Sequence, residues 1–349
     1  MTRRIDRLRG RVAHKRNRLV QELGVRLGKE LGKPNEIYLK ITHRCRTQCV
    51  MCNIWATPNR PSEELDTGQW NEVLDDLRSW LGPYEVWFIG GEPFVRRDLY
   101  DILEHAAKIG LYGKVVTRGV GVLKEEHARR LVDSGLAEYH VSVEALDPAI
   151  HDYVSPPPGS HEKAIKGIEM IDRVRHETGS PLKIVVKTII MGVNAHELVE
   201  LVEWVEDNGL DLIKFQPIEQ TLETPRAGEW YTESPLWPQG EEALATVLDA
   251  IDGLIAAKRR GAPIDNTEFA LANMRRYFVN PGSMYEPVIT HRLNTVGRKA
   301  SKSHLEVWHD GDAKIVWDRP SLGNVLETSF KELWKRRDSV SVNERHVTV

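Results

Sequence analysis

The stretch THRCRTQCVMCNIW, residues 42–55, holds every cysteine of the chain: Cys45, Cys49 and Cys52. Three thiols cannot all pair as disulfides, and Cys49 and Cys52 stand too close for an ordinary structural bridge. Three thiolates at C-x3-C-x2-C spacing on one loop can instead converge on a single metal centre. Structural zinc wants four closed ligands, and the local set stops at three unless His43 joins it. A [4Fe–4S] cluster held by three cysteines would keep one iron free for a substrate or cofactor.

The residues before and after this loop give its setting. EIYLKIT (36–42) reads as a strand that delivers the loop, and EVWFIG (85–90), GKVVTRG (113–119), YHVSVEAL (139–146), LKIVVKTII (182–190) and LIKFQPI (212–218) repeat the pattern. Helical periodicity fills the intervals, around Gln69–Trp80, Leu99–Ile109, Glu125–Ser134, His161–Glu177 and Ala195–Asn208. Strands alternating with helices predict an α/β protein with a parallel sheet, doubly wound or curled into a barrel. In parallel barrels the chemistry sits in loops after the C-terminal strand ends. The cysteines follow the first strand, and Gly90-Gly91-Glu92-Pro93 follows the second.

Cys45-x3-Cys49-x2-Cys52, with Met51 before the last cysteine, resembles the signature of radical S-adenosylmethionine (SAM) enzymes. The resemblance implies a partial (β/α)6 TIM-like barrel over residues 36–220. It also implies one [4Fe–4S] cluster on the three cysteines, with the SAM amino and carboxylate groups on the fourth iron. Reductive cleavage of SAM then gives a 5′-deoxyadenosyl radical that abstracts a hydrogen atom from substrate. Gly90, Gly91, Glu92 and Pro93 resemble the segment that binds the SAM amino group: glycines permit close backbone approach, and Glu92 offers a carboxylate to an ammonium. Arg118 in VTRG takes the place of the usual asparagine. Ser142 and Glu144 match the strand that contacts the ribose, and their alternation puts both on one face. Met51 and Trp55 are candidates to flank the adenine. Lys187 is a candidate for the SAM carboxylate or a substrate acid, and Gln216 and Glu219 for facing the site. The catalytic candidates are thus Glu92, Lys187 and Arg118, and His43 is a candidate to tune the cluster by hydrogen bonding.

Residues 221–349 break the strand–helix rhythm. A long Pro-, Gly- and Trp-rich loop precedes a helix near Glu241–Arg260, a hairpin around DGD (310–312) and a closing helix at 329–337. The hairpin and closing helix resemble the C-terminal SPASM or twitch extension of many such enzymes, here without cysteines for an auxiliary cluster. A radical quenched by a cysteine is therefore excluded, leaving tyrosines such as Tyr139, Tyr153, Tyr231 or Tyr285. Elimination, decarboxylation, rearrangement or oxidation of a small polar substrate of sugar, aminocyclitol or nucleoside type fits best. No separate leader-binding or cobalamin domain is expected before the barrel. Modification of a peptide or lipid, and a non-catalytic metal-binding scaffold, stand as alternatives.

Residues 1–35 are the remaining expected segment. Over the first 33 positions eleven basic residues face three acidic ones, with leucines at helical spacing. This predicts a basic amphipathic helix, packed by Leu19, Leu23, Leu27 and Leu31 or docked on a membrane surface or acidic partner. A net charge of −3 gives no general attraction to nucleic acid. The apolar content of 41% with 28% charged residues is that of a globular protein. No apolar run reaches a bilayer's span and no signal core opens the chain. A cytoplasmic setting is the expectation, with an external one-electron reductant such as flavodoxin or ferredoxin.

Overall fold

Residue patterning dictates the sheet directly. In β1 (Glu36–Thr42) Ile37, Leu39 and Ile41 are fully buried, while Tyr38 and Lys40 alternate to the other face. A computed structural model describes residues 31–57, 60–220, 229–281, 304–315 and 320–337, with Asn17, Leu19, Val20 and Leu23. β2 (Glu85–Gly90), β3 (Tyr112–Thr117), β4 (Glu138–Ser142), β5 (Lys183–Ile190) and β6 (Leu212–Pro217) pair in parallel, each with the strand before it. The helices between them are α1 (Thr67–Leu81), α2 (Leu99–Lys108), α3 (Glu125–Asp133), α4 (Pro148–Val154), α5 (Ser160–Thr178) and α6 (Leu198–Asp207). Sequential strand order with right-handed crossovers puts every helix on one side. The opposite face becomes the interior of an open, partial (β/α)6 barrel.

The helix side is apolar. Trp70, Leu74 and Leu77 of α1 join Val86, Phe88 and Leu103 in one continuous core. Asp66 caps α1 by accepting from the Gln69 amide, while the Gln69 side-chain oxygen accepts from the Asp66 amide. The interior face is polar and aromatic: the Trp87 ring lies 4.8 Å from His140, with the Lys114 ammonium 4.9 Å from its centroid. Lys114 is itself paired with Glu85 at 3.0 Å and Glu138 at 3.4 Å.

Both open edges are covered. Beyond β1, β7 (His304–Val307) adds in parallel, and β8 (Asp312–Lys314) and β9 (Gly323–Asn324) follow antiparallel. The described strands thus form one sheet in the order β6-β5-β4-β3-β2-β1-β7-β8-β9. At β6, Asn266 imitates a neighbouring strand, accepting from the Phe215 amide at 2.8 Å and donating to the Phe215 carbonyl at 3.0 Å. A short turn, α7 (Trp230–Glu233), leads to α8 (Gly240–Arg259) and α9 (Glu268–Val279), and α10 (Phe330–Arg336) closes the described chain.

The six strand–helix units, the DGD hairpin and the closing helix form as the sequence predicts. Other details differ. β3 ends at Thr117 and β4 at Ser142, so Arg118 and Glu144 lie on loops just beyond the strands rather than within them. The 221–240 loop carries the α7 turn, and its residues 221–228 lie outside the described residues. The N-terminal helix also lies mostly outside them. Of its leucines, Leu19 and Leu23 are exposed rather than packed, and the anchoring contact is polar, from buried Asn17 to the Lys33 backbone carbonyl at 2.9 Å.

Candidate active site

The cysteine loop leaves β1 at Thr42, and two features of the sequence hold its stem. The first is the glycine pair. Gly91 donates to the Thr42 carbonyl at 2.8 Å, and the Glu92 amide to the Arg44 carbonyl at 2.9 Å. A Cβ at Gly90 would stand 2.1 Å from the Thr42 oxygen, and one at Gly91 2.4 Å from the Arg44 oxygen. Gly90 also adopts φ +141°, a conformation that other residues rarely enter. The second feature is a charge network. Arg44 grips Glu64 through two bonds of 2.9 and 2.8 Å. Arg96, with its side chain only 4% exposed, lies 3.5 Å from Glu64 and donates at 2.9 Å to both the Ile41 and Leu65 carbonyls, with Asp98 as its carboxylate partner at 2.7 Å.

Within the loop, the Thr47 hydroxyl lies 3.0 Å from Cys45 Sγ and 3.7 Å from Cys49 Sγ. The Cys52 amide donates to the Cys49 carbonyl at 3.1 Å, and the Trp55 indole N–H to the Cys52 carbonyl at 2.7 Å. None of the three cysteines is in a disulfide, and Cys49 is buried. Burial pushes the Cys49 thiol up, with Arg118 and Thr47 opposing. Trp55 is partly exposed at the loop's edge, and Met51 packs against the core.

Glu92 and Arg118 meet this loop from the next two strands. Glu92 is buried and serves as an internal staple: it accepts from the Thr117 hydroxyl at 2.7 Å, the Arg118 amide at 2.9 Å and the Phe94 amide at 3.2 Å. Burial raises its carboxyl against those bonds. Arg118, pinned at its backbone, turns its side chain inward so that Nη1 donates to Cys49 Sγ at 2.7 Å. Its Nε and Nη2 are buried with no partner among the described residues.

The β4 and β5 ends complete the rim. Glu144 is buried, accepts from the Ile189 amide at 2.9 Å, and donates its own amide to His151 Nδ1 at 3.1 Å. Burial raises the Glu144 carboxyl, with Arg118 the largest opposing charge. His151 is held neutral, its pKa lowered to about 3 by burial and by Arg118. Lys187 pairs in register with Ser142 on one side and Lys214 on the other. Burial, then Lys214, lowers its ammonium to about 8. Gln216 is exposed at the end of β6.

Other candidates lie elsewhere. The His43 ring lies tilted against Trp308 at 4.8 Å and His309 at 4.4 Å, so it braces the C-terminal hairpin against the loop stem. Tyr139 is fully buried on the helix side, with its ring 6.1 Å from Phe94, whereas Tyr153 is exposed. Tyr231 packs with Trp230 and Trp237, and Tyr285 is outside the described residues. Sequence reading missed Glu64, Arg96, Thr47 and His151; the signal for Arg96 was a charged residue just after GGEP in a segment that is otherwise buried.

Residues 39–205 match the Radical SAM superfamily. The PqqA peptide cyclase of Bradyrhizobium diazoefficiens is 31% identical over 183 residues, 52% of this chain and 46% of that relative. The namesake of Rhodopseudomonas palustris is 33% identical over 172 residues, 49% and 44% respectively. The matched stretch thus spans less than half the length of these curated relatives. Among solved structures, Streptococcus suis SuiB bound to S-adenosylmethionine superposes with TM-score 0.63 at 15% identity, over 87% of this chain and 66% of that one. Native anSMEcpe with bound AdoMet gives 0.60 at 14%, over 86% and 80%. These structures share the partial-barrel fold.

Residues 39–205 thus carry a radical SAM superfamily domain. That family uses a [4Fe–4S] cluster and SAM, and the donor set here fits them. No three His, Cys, Asp or Glu side chains among the described residues converge as one metal ion needs. Thiolates that each take a different corner of a cluster need no such convergence. The partnerless N–H groups of Arg118 and the buried Glu92 and Glu144 carboxyls line the same rim as the thiols, polar groups that suit a zwitterionic ligand. No described helix is long and apolar enough to cross a membrane.

Proposed function

We propose that this chain is a radical SAM enzyme that abstracts a hydrogen atom from a peptide. The single observation that carries the chemistry is the meeting of Cys49, Arg118 and Glu92 at the C-terminal ends of β1, β2 and β3. The peptide half rests on the relatives, which are named as PqqA peptide cyclases; it takes precedence over the small polar substrate expected from the lack of further cysteines. Under this reading Cys45, Cys49 and Cys52 hold the cluster. Glu92 accepts the SAM ammonium while it keeps the Arg118 backbone in place. Ser142 and Glu144 face the ribose, Met51 and Trp55 the adenine, and Lys187 anchors a carboxylate. With both cofactors bound and one electron from an external reductant, the site would supply a carbon radical able to take hydrogen from an unactivated C–H bond. The polar interior face then orients the substrate, and the hairpin that carries Trp308 and His309 buttresses the loop through His43.

The test is anaerobic reconstitution followed by EPR of the reduced protein with and without SAM, then 5′-deoxyadenosine formation with synthetic peptides against sugars and aminocyclitols. A single cluster signal altered by SAM, with turnover stimulated by peptide, supports the proposal. Stimulation by small polyols alone would return the substrate to that class, and bound zinc without a cluster would sink the radical chemistry.

A further inference from the structure

The contact between Arg118 and Cys49 is more than packing. Arg118 stands where the resembled segment carries a neutral asparagine, and it brings a permanent cation to a buried sulfur at 2.7 Å. Its reach is fixed from behind: the Arg118 amide is bound to Glu92, which the Thr117 hydroxyl and the Phe94 amide also hold. The other polar side chain beside the thiols, the Thr47 hydroxyl, is neutral and accepts from Cys49 Sγ.

We infer that Arg118 is a positioning and tuning residue that raises the reduction potential of the cluster held by the three cysteines. This rests on the proposed function. Reduction adds one electron, and so one negative charge, to the cluster; the donor is an external low-potential one-electron carrier. A fixed guanidinium at the sulfur stabilises the more negative, reduced form more than the oxidised one. Its N–H···S bond withdraws electron density in the same direction, since net charge and hydrogen bonds to sulfur are among the features that set such potentials. Burial of Cys49 weakens solvent screening of the effect.

The experiment is a mediated redox titration, read by EPR, of the reconstituted full chain and of Arg118→Asn, Arg118→Gln and Arg118→Lys. Iron and sulfide content is matched first. The neutral variants are expected to shift the midpoint to more negative potential, with the reduced-to-oxidised ratio at fixed solution potential falling about tenfold, ~59 mV for one electron. Arg118→Lys, which keeps the charge, is expected to recover most of the shift. A fully loaded neutral variant with the unsubstituted midpoint overturns the inference, as does Arg118→Lys falling as far as Arg118→Asn. Loss of the SAM-induced EPR change with an unmoved midpoint also overturns it, making Arg118 a SAM ligand instead. Failure of the unsubstituted chain to assemble a SAM-responsive cluster would defeat the proposed function itself and this inference with it. An intact, SAM-responsive cluster indifferent to Arg118 would defeat this inference alone.

Discussion

Lys187 and Lys214 sit directly opposite each other across the β5–β6 ladder, side by side on the face that lines the barrel interior. Lys214 has Asp265 at 3.4 Å, whereas the Lys187 ammonium has no hydrogen bond or ion pair with any described residue and only the electrostatic pull of Glu144. A depressed ammonium of this kind costs folding stability when protonated. The folded pKa of about 8 lies below the unfolded value near 10.4, so the unfolded chain binds more protons between them, and stability from this residue rises as pH climbs through that window. Lys187→Met is expected to raise stability at pH 7 by about 1–3 kcal/mol, with the advantage shrinking toward pH 10. Urea denaturation of both proteins at pH 7 and pH 9.5 checks it; an equal advantage at both would mean Lys187 is not strained by charge. The same variant is expected to weaken the binding of carboxylate-bearing substrates.

The glycine pair makes a second outcome specific. Alanine at Gly91 would drive its Cβ against the Arg44 and His43 backbone carbonyls, at 2.4 and 2.7 Å. Relief requires moving the stem of the cysteine loop. Gly91→Ala is expected to cost about 1–3 kcal/mol as an overpacked site and to lower iron bound per chain after reconstitution by more than half. Normal iron loading would show that the loop tolerates the shift.

Acid should unfold the loop stem through neutral histidines. His43 is held down to about 4 by burial, with His309 and Lys40 as further causes, and His151 to about 3 by burial and Arg118. Both folded values lie below the unfolded value near 6.5. Stability that is complete above pH 6.5 is therefore lost as pH falls toward 4, by about 1.4 kcal/mol per pH unit for each histidine. His43→Gln should flatten the thermal midpoint between pH 6.5 and 4.5 relative to the unsubstituted chain. An unchanged slope would place the acid sensitivity elsewhere.

What could be read from sequence was what lies close together along it. The strand bounds of β1 and β2 follow from apolar runs ended by the cysteine loop and by Gly90. The cluster ligands and the glycine segment are contiguous, so their spacing carried them. Arg118 was visible as a departure from the resembled asparagine, but its contact with Cys49, 69 positions away, was not. The same distance problem hid Arg96, which joins β1 to the loop just before α1's N-cap, and the tilted contact of His43 with Trp308, which depends on β7 pairing with β1. α4 was missed because Asp147-Pro148 opens it: Pro at the first turn with an Asp cap reads as a turn when only seven helical residues follow.

Arg96 provides the sharpest separation between holding the fold and holding the cofactor. Its guanidinium is nearly sealed from water, bridging the Ile41 and Leu65 carbonyls and two carboxylates, Glu64 and Asp98. Removing one partner of a buried ionic network leaves the others uncompensated, at a cost of about 3–5 kcal/mol. Glu64 would keep Arg44 but lose its second cation, and the two carbonyls would lose their donor. Arg96→Leu is therefore expected to lower the thermal midpoint strongly and to cut cluster loading only as far as the folded fraction falls. Arg44→Leu, on the half-exposed end of the network, is expected to cost less stability but more iron per folded chain, because Arg44 lies on the cysteine loop itself. Parallel thermal melts and iron assays on the two variants decide it; identical ratios of iron to folded protein would show that the network acts on the loop as one unit.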